Sequence, residues 1–175
     1  IRGEAALQAG RIATQLGRIE DANGYFVLLL NTDSLATWRG EAQLGLMGNY
    51  FKEKKWENVV KVFDSHKIVM PEQQDARRLM LYAKALFEMK RYAQAGLAFS
   101  KVERLVPLTK EAFRANYFRL ICGYQQRIES LPRQVDAFLE VYQPRFPNSP
   151  LLDRALLLKA ETLYNSRQLA AAAIA

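Results

Sequence analysis

The strongest constraint on the fold is the stretch 79–107, which combines two amphipathic helical patterns with a short polar break between them. Apolar residues stand at i, i+3, i+4, i+7 and i+8 from its first residue to Phe87, so they lie on one face of a helix. A second apolar stripe begins at Ala95, and Pro107 cannot continue that helix. The stretch therefore predicts two helices packed as a hairpin.

Copies of this hairpin pattern recur along the chain. Ala160 and Tyr164, for example, lie over Ala83 and Phe87 without a gap. Five copies in phase predict an all-α fold, an α-α superhelix (solenoid) of about five helix-turn-helix repeats and roughly ten helices. The alternative is a helical bundle without repeats. We expect a single domain, with repeats near 3–35, 36–71, 72–107, 108–147 and 150–175.

The pattern resembles the tetratricopeptide repeat (TPR), a helix-turn-helix of about 34 residues with a conserved pattern of small and large residues. The resemblance is carried by Ala83, Leu86, Tyr92, Ala95, Phe99 and Pro107. It covers essentially the whole chain, although the spacing of the copies exceeds the usual TPR length. The resemblance implies a scaffold that binds a protein or peptide in a concave groove lined by the first helix of each repeat.

The resemblance also implies which residues line that groove. When the fourth repeat is aligned so that Gly123 lies over Ala83, one groove position carries Thr14, Phe51, Phe87, Arg127 and Tyr164. Neighbouring groove positions carry Arg11, Lys84, Tyr124 and Arg154. Aromatic anchors beside cations are typical of binding hot spots, so we expect an extended or helical partner segment with some acidic residues. The alternative is that a tightly coiled array packs these aromatic residues internally.

Groups that could perform catalysis are sparse in this sequence. The chain has one histidine, His66, and one cysteine, Cys122, which lies in a helical pattern and is predicted to be a buried thiol. No cluster of His, Cys and carboxylates has metal-ligand spacing, and no Gly-rich phosphate loop is present. We therefore predict that this segment is not an enzyme and uses no cofactor, metal ion or small-molecule substrate. Because the last helical pattern is unfinished at Ala175, we expect a longer protein, and a helical superstructure attached to a catalytic domain is an alternative function.

The chain is basic, with 25 Lys and Arg against 18 Asp and Glu and a formal net charge of +7. This excess favours an acidic partner or a polyanion, and it makes nucleic-acid binding a further alternative. Acidic residues interrupt the basic ones throughout the sequence, which argues against a nucleic-acid interface. The longest apolar run, Tyr25–Leu30, is too short for a transmembrane helix. Exposed apolar faces at the ends of the array would allow a homo-oligomer.

The sharpest local signature is the stretch 145–150, Arg-Phe-Pro-Asn-Ser-Pro, which ends one predicted helix and begins the next. This aromatic-Pro-x-Ser-Pro junction resembles the TPR proteins of bacterial cell envelopes of the BamD and YbgF (CpoB) type. The resemblance implies a role in envelope assembly and a periplasmic or cell-envelope location. A cytoplasmic location is the alternative.

Overall fold

The computed structural model describes the backbone of residues 2–174 and the side chains of residues 2–167. All regular elements among these residues are helical, so the predicted all-α fold is confirmed. A 3₁₀ helix spans Asp33–Trp38. The α-helices are α1 (Arg2–Gln15), α2 (Ile19–Asn31), α3 (Arg39–Lys52), α4 (Trp56–Ser65), α5 (Glu72–Glu88), α6 (Tyr92–Leu105), α7 (Lys110–Gln125), α8 (Leu131–Tyr142) and α9 (Pro150–Ile174).

The helical hairpins close through one recurring turn. Gly17, Lys54, Lys90 and Arg127 have positive φ angles of 76°, 58°, 60° and 54°, and each lies two residues after the end of a helix. At Lys54, the N–H bonds the carbonyl of Phe51 at 3.1 Å, and the next N–H bonds the carbonyl of Tyr50 at 2.9 Å. This is a Schellman closure, which needs one left-handed residue after the helix. The left-handed residues recur every 36 or 37 positions, so the repeat is present in the backbone itself.

The fourth repeat differs from the sequence-based alignment. Arg127 was predicted to be a groove residue on the first helix of this repeat, but α7 ends at Gln125 and Arg127 lies in the turn. Arg127 is therefore equivalent to Lys90, and the prediction that it matches Phe87 is wrong. The turn is longer here because α8 starts four residues after Arg127, whereas α6 starts two residues after the left-handed Lys90. The extra residues of this repeat thus lie in the loop between Arg127 and α8. The Schellman closure ends each first helix two residues before the left-handed residue, so the helix itself is not lengthened.

The chain divides into two compact units, Ile1–Met89 and Lys90–Ala175. In the first unit, the ring of Phe26 fills a space that two glycines leave open. A Cβ atom on Gly10 would lie 2.7 Å from this ring, and one on Gly45 would lie 2.5 Å from it. Close packing of α1, α2 and α3 therefore explains why position 45 is a glycine. Packing does not explain Gly48 in the same way, because a Cβ atom there would meet nothing within 4 Å.

A buried polar network joins α3, α4 and α5. The Gln43 side chain is fully buried, and its Nε2 donates to the carbonyls of Val62 at 2.9 Å and His66 at 3.2 Å. Its Oε1 accepts a 3.0 Å hydrogen bond from Arg78, which also bonds Asp75. One glutamine thus satisfies carbonyls at the end of α4 and a buried guanidinium on α5.

The second unit is built on an aromatic cluster. The ring of Phe113 on α7 stacks against Phe138 on α8 at 5.4 Å between centroids and against Phe146 at 4.6 Å. Tyr142 packs on the same three rings and is 1% exposed. Phe146, which follows α8, is therefore packed against the start of α7.

The fifth hairpin is not formed in the structure. A helix-turn-helix repeat was predicted near 150–175, but α9 runs without a break from Pro150 to Ile174. Arg167, which aligns with the left-handed Lys90, is helical. The following alanine-rich run has the best helix propensity, so local sequence favours continuing the helix. The same ungapped alignment predicts that Ala172 matches Ala95, and Ala172 lies outside the residues whose side chains are described.

Candidate functional site

One position near the end of the first helix is aromatic in successive repeats. We define the aromatic position as the residue three places before the left-handed residue of each hairpin turn. It is occupied by Thr14, Phe51, Phe87 and Tyr124. All four side chains are partly exposed. The corrected alignment therefore replaces Arg127 with an aromatic residue and makes the series more regular than the sequence alone indicated.

In the first unit, the predicted groove residues lie on α1, α3 and α5. Phe51 packs edge-to-face on Trp56, with 4.8 Å between ring centroids. Arg11 is exposed and forms an ion pair with Glu41 on α3. Lys84 and Phe87 are partly buried on α5, and both contact other residues of the protein. Their burial is intermediate, which suits side chains that a partner could cover further.

In the second unit, α9 contacts the aromatic position of α7. The Tyr124 hydroxyl donates to Glu161, which raises the pKa of the phenol, and Asn165 bonds the same hydroxyl. Nearby on α9, Arg154 donates to Tyr117 of α7; burial raises the pKa of Tyr117, and Arg154 partly offsets the rise. Hydrogen bonds between α7 and α9 thus involve both Tyr124 and Arg154. Sequence spacing did not reveal these bonds.

The remaining two predicted residues are solvent-exposed. Tyr164 on α9 is 64% exposed. Arg127 is exposed in the turn after α7. It is therefore not on the first helix of its repeat, where the groove residues were predicted to lie.

A pocket that the sequence interpretation missed lies in the second unit. It has a volume of about 570 Å³ and is open to solvent. We call it the junction pocket, and it is lined by Lys110, Phe113, Arg114, Phe146, Pro147, Asn148, Ser149, Pro150 and Leu151. Residues 145–150 were predicted to be a helix junction, but no sequence spacing places them beside the start of α7.

The chemistry available to catalysis is limited within the described residues. Cys122 is fully buried, and burial raises the pKa of its thiol to about 12, so the reactive thiolate is disfavoured. His66 lies at the end of α4, where its Nδ1 is 3.3 Å from the carbonyl oxygen of Val62. Among side chains 2–167, no group of three His, Cys, Asp or Glu residues could hold a metal ion.

No helix in the described part of the chain has the length and apolar character that crossing a membrane requires.

Comparison with protein-family models gives no match, and comparison with curated proteins also gives no match. The resemblance to TPR proteins therefore stays a prediction that rests on the sequence pattern of this chain alone.

Proposed function

We propose that this chain is a TPR-like, non-catalytic scaffold that binds a peptide or protein segment through the first helices of its repeats. The observation that supports this most directly is the aromatic position, where Phe51, Phe87 and Tyr124 recur with the period of the hairpin turns. Core packing alone does not require an aromatic residue that stays partly exposed at the same place in three successive repeats. Aromatic side chains of this kind supply large contact area at low conformational cost.

The partner segment would place apolar side chains against the aromatic position and acidic residues near the basic side chains beside it. Exposed Arg11 and partly buried Lys84 in the first unit, and exposed Arg154 in the second, would provide the complementary charge. Such rim charges act mainly on association rate and specificity, while the aromatic anchors supply most of the affinity.

The finer proposal is that the partner belongs to a bacterial envelope assembly. It rests on the Arg-Phe-Pro-Asn-Ser-Pro junction at residues 145–150, which resembles envelope TPR proteins. Identification of the captured partner tests this proposal directly.

The test uses the first unit, where two aromatic residues can be removed together. The baits for affinity capture from an extract of the source organism are the parent protein and a Phe51→Ala/Phe87→Ala variant. Truncating a hot-spot aromatic residue costs about 2 kcal/mol or more, so the variant should bind the captured partner at least about 30-fold more weakly. Circular dichroism establishes that the two baits are equally helical.

A Leu28→Ala/Val69→Ala variant is the matched control, because both side chains are exposed in the same unit, at 53% and 100%. It should capture the partner as the parent does. If the Phe51→Ala/Phe87→Ala variant captures the same proteins with unchanged affinity, the aromatic position is not the binding site and the proposal fails.

A further inference from the structure

The junction pocket combines an apolar floor with a basic rim. Phe113 forms part of the floor and is only 3% exposed, because its ring is held between Phe138 and Phe146. Pro147 in the α8–α9 connection and Pro150 at the start of α9 line the same pocket and have fixed φ angles. The floor is therefore rigid before any ligand arrives, which lowers the entropy cost of binding.

The two cations on the rim lie where a helix disfavours them. Lys110 is the first residue of α7 and Arg114 follows one turn later, at the end of the helix that carries partial positive charge. Both side chains are exposed, and neither forms an ion pair or side-chain hydrogen bond with a described residue. The rim thus carries two cations without an ion-pair partner among the described residues, although Glu111 lies between them in the sequence.

The α8–α9 side of the pocket adds no compensating anion. The residues that line it here are apolar or neutral, from Phe146 to Leu151. The Ser149 hydroxyl is turned toward its own helix, where it accepts a hydrogen bond from the Leu151 N–H at 3.4 Å. An anionic group on a ligand is therefore the natural complement of this rim.

We propose that the junction pocket binds a peptide segment in which acidic residues flank an apolar side chain. The apolar side chain would rest on Phe113 and Phe146, and carboxylates on either side would pair with Lys110 and Arg114. The volume suits one or two side chains of a peptide and lies in the usual range for ligand pockets. Two cations around an apolar floor match such a segment better than a nucleic acid, which would need a longer run of phosphate contacts.

This site shares no residue with the aromatic position. The proposal therefore does not depend on the function proposed above, and either one can fail while the other holds.

The test is a selection of random dodecapeptides displayed on phage against the parent protein. Selected sequences should be enriched in Asp and Glu beside an aliphatic or aromatic residue. Synthetic peptides of the strongest class should then bind the parent in fluorescence anisotropy and lose about tenfold in affinity, or more, with a Lys110→Glu/Arg114→Glu variant. Because acidic residues are favoured in the first turn of a helix, this variant should fold at least as stably as the parent.

A Lys101→Glu/Arg133→Glu variant serves as the matched control. It makes the same change in net charge at two exposed cations of the second unit that do not line the pocket. Its affinity for the selected peptides should stay within about twofold of the parent. Selection of peptides without acidic enrichment, or equal loss of affinity in both charge-reversed variants, would overturn the proposal.

Single-stranded oligonucleotides and anionic phosphatidylglycerol vesicles are tested alongside the peptides. If either of these binds and Lys110→Glu/Arg114→Glu abolishes the binding while no acidic peptide is selected, the pocket has a different ligand and the peptide proposal is wrong.

Discussion

At the residue scale, backbone conformation decides the position of each hairpin turn. Lys54, Lys90 and Arg127 adopt left-handed conformations that glycine tolerates best, and Gly17 is the one member of this series that is glycine. A side chain in this region costs about 1–2 kcal/mol. The helical hairpins are thus formed in spite of residues that locally disfavour the turn, because the packed helices determine the backbone there.

We predict that Lys54→Gly stabilises the protein by about 1 kcal/mol, because glycine removes the strain at positive φ. Urea unfolding followed by circular dichroism measures the change. Gly17→Ala should have the opposite effect of similar size. The control is Lys61→Gly, an exposed residue inside α4, which should destabilise by about 1 kcal/mol. A loss of stability in Lys54→Gly would show that the lysine makes a compensating contact.

A second prediction concerns the buried thiol of Cys122. Its pKa in the folded state is raised from 9.0 to about 12 by burial. The buried thiol therefore makes its full contribution to the free energy of unfolding below pH 9, and this contribution declines as the pH rises from 9 towards 12. The decline occurs because the unfolded chain loses its thiol proton first. The free energy of unfolding of the parent should fall more steeply over this range than that of Cys122→Ala. Tyrosine residues titrate in both proteins, so they do not produce a difference between the two slopes. Identical pH slopes for the two proteins would contradict the raised pKa of Cys122.

At the element scale, polar side chains join helices that apolar packing alone would leave free to slide. Gln43 is the central member in the first unit. In the second unit, Asn116 on α7 donates to Glu103 on α6 at 2.6 Å and accepts from Arg119 at 2.7 Å. Arg119 in turn donates to Gln134 on α8 at 3.1 Å. Buried polar groups tolerate few alternative arrangements, so each network fixes the register of its helices.

We predict that Gln43→Ala destabilises the protein by about 3 kcal/mol. The substitution leaves two carbonyls and one Arg78 nitrogen without the hydrogen bonds that the fully buried Gln43 side chain supplies. Thermal and chemical unfolding both report the change. The control is Gln8→Ala on exposed α1 surface, which should stay within about 0.5 kcal/mol of the parent. An effect of Gln43→Ala no larger than that of the control would mean that water replaces the side chain.

At the scale of the whole molecule, helix positions were predicted well and turn positions less well. The two helices predicted in the stretch 79–107 correspond to α5 and α6, and Pro107 follows the end of α6 as predicted. The prediction failed at the end of α7, because Arg127 carries no local signal for a left-handed turn. It also failed at the fifth hairpin, where α9 continues as a helix through Asn165 and Ser166.

The sequence by itself determined the helices and the period of the repeat, because both depend on spacings within a few turns of one helix. It also indicated which residue types could form a binding surface. Tertiary structure decided that Tyr124 rather than Arg127 occupies the aromatic position, since the number of residues in a loop is set by how the flanking helices pack. It likewise created the junction pocket, because packing brings residues 110–114 beside residues 146–151, which are distant in sequence. Such contacts depend on the path of the chain through space, and no local pattern encodes that path.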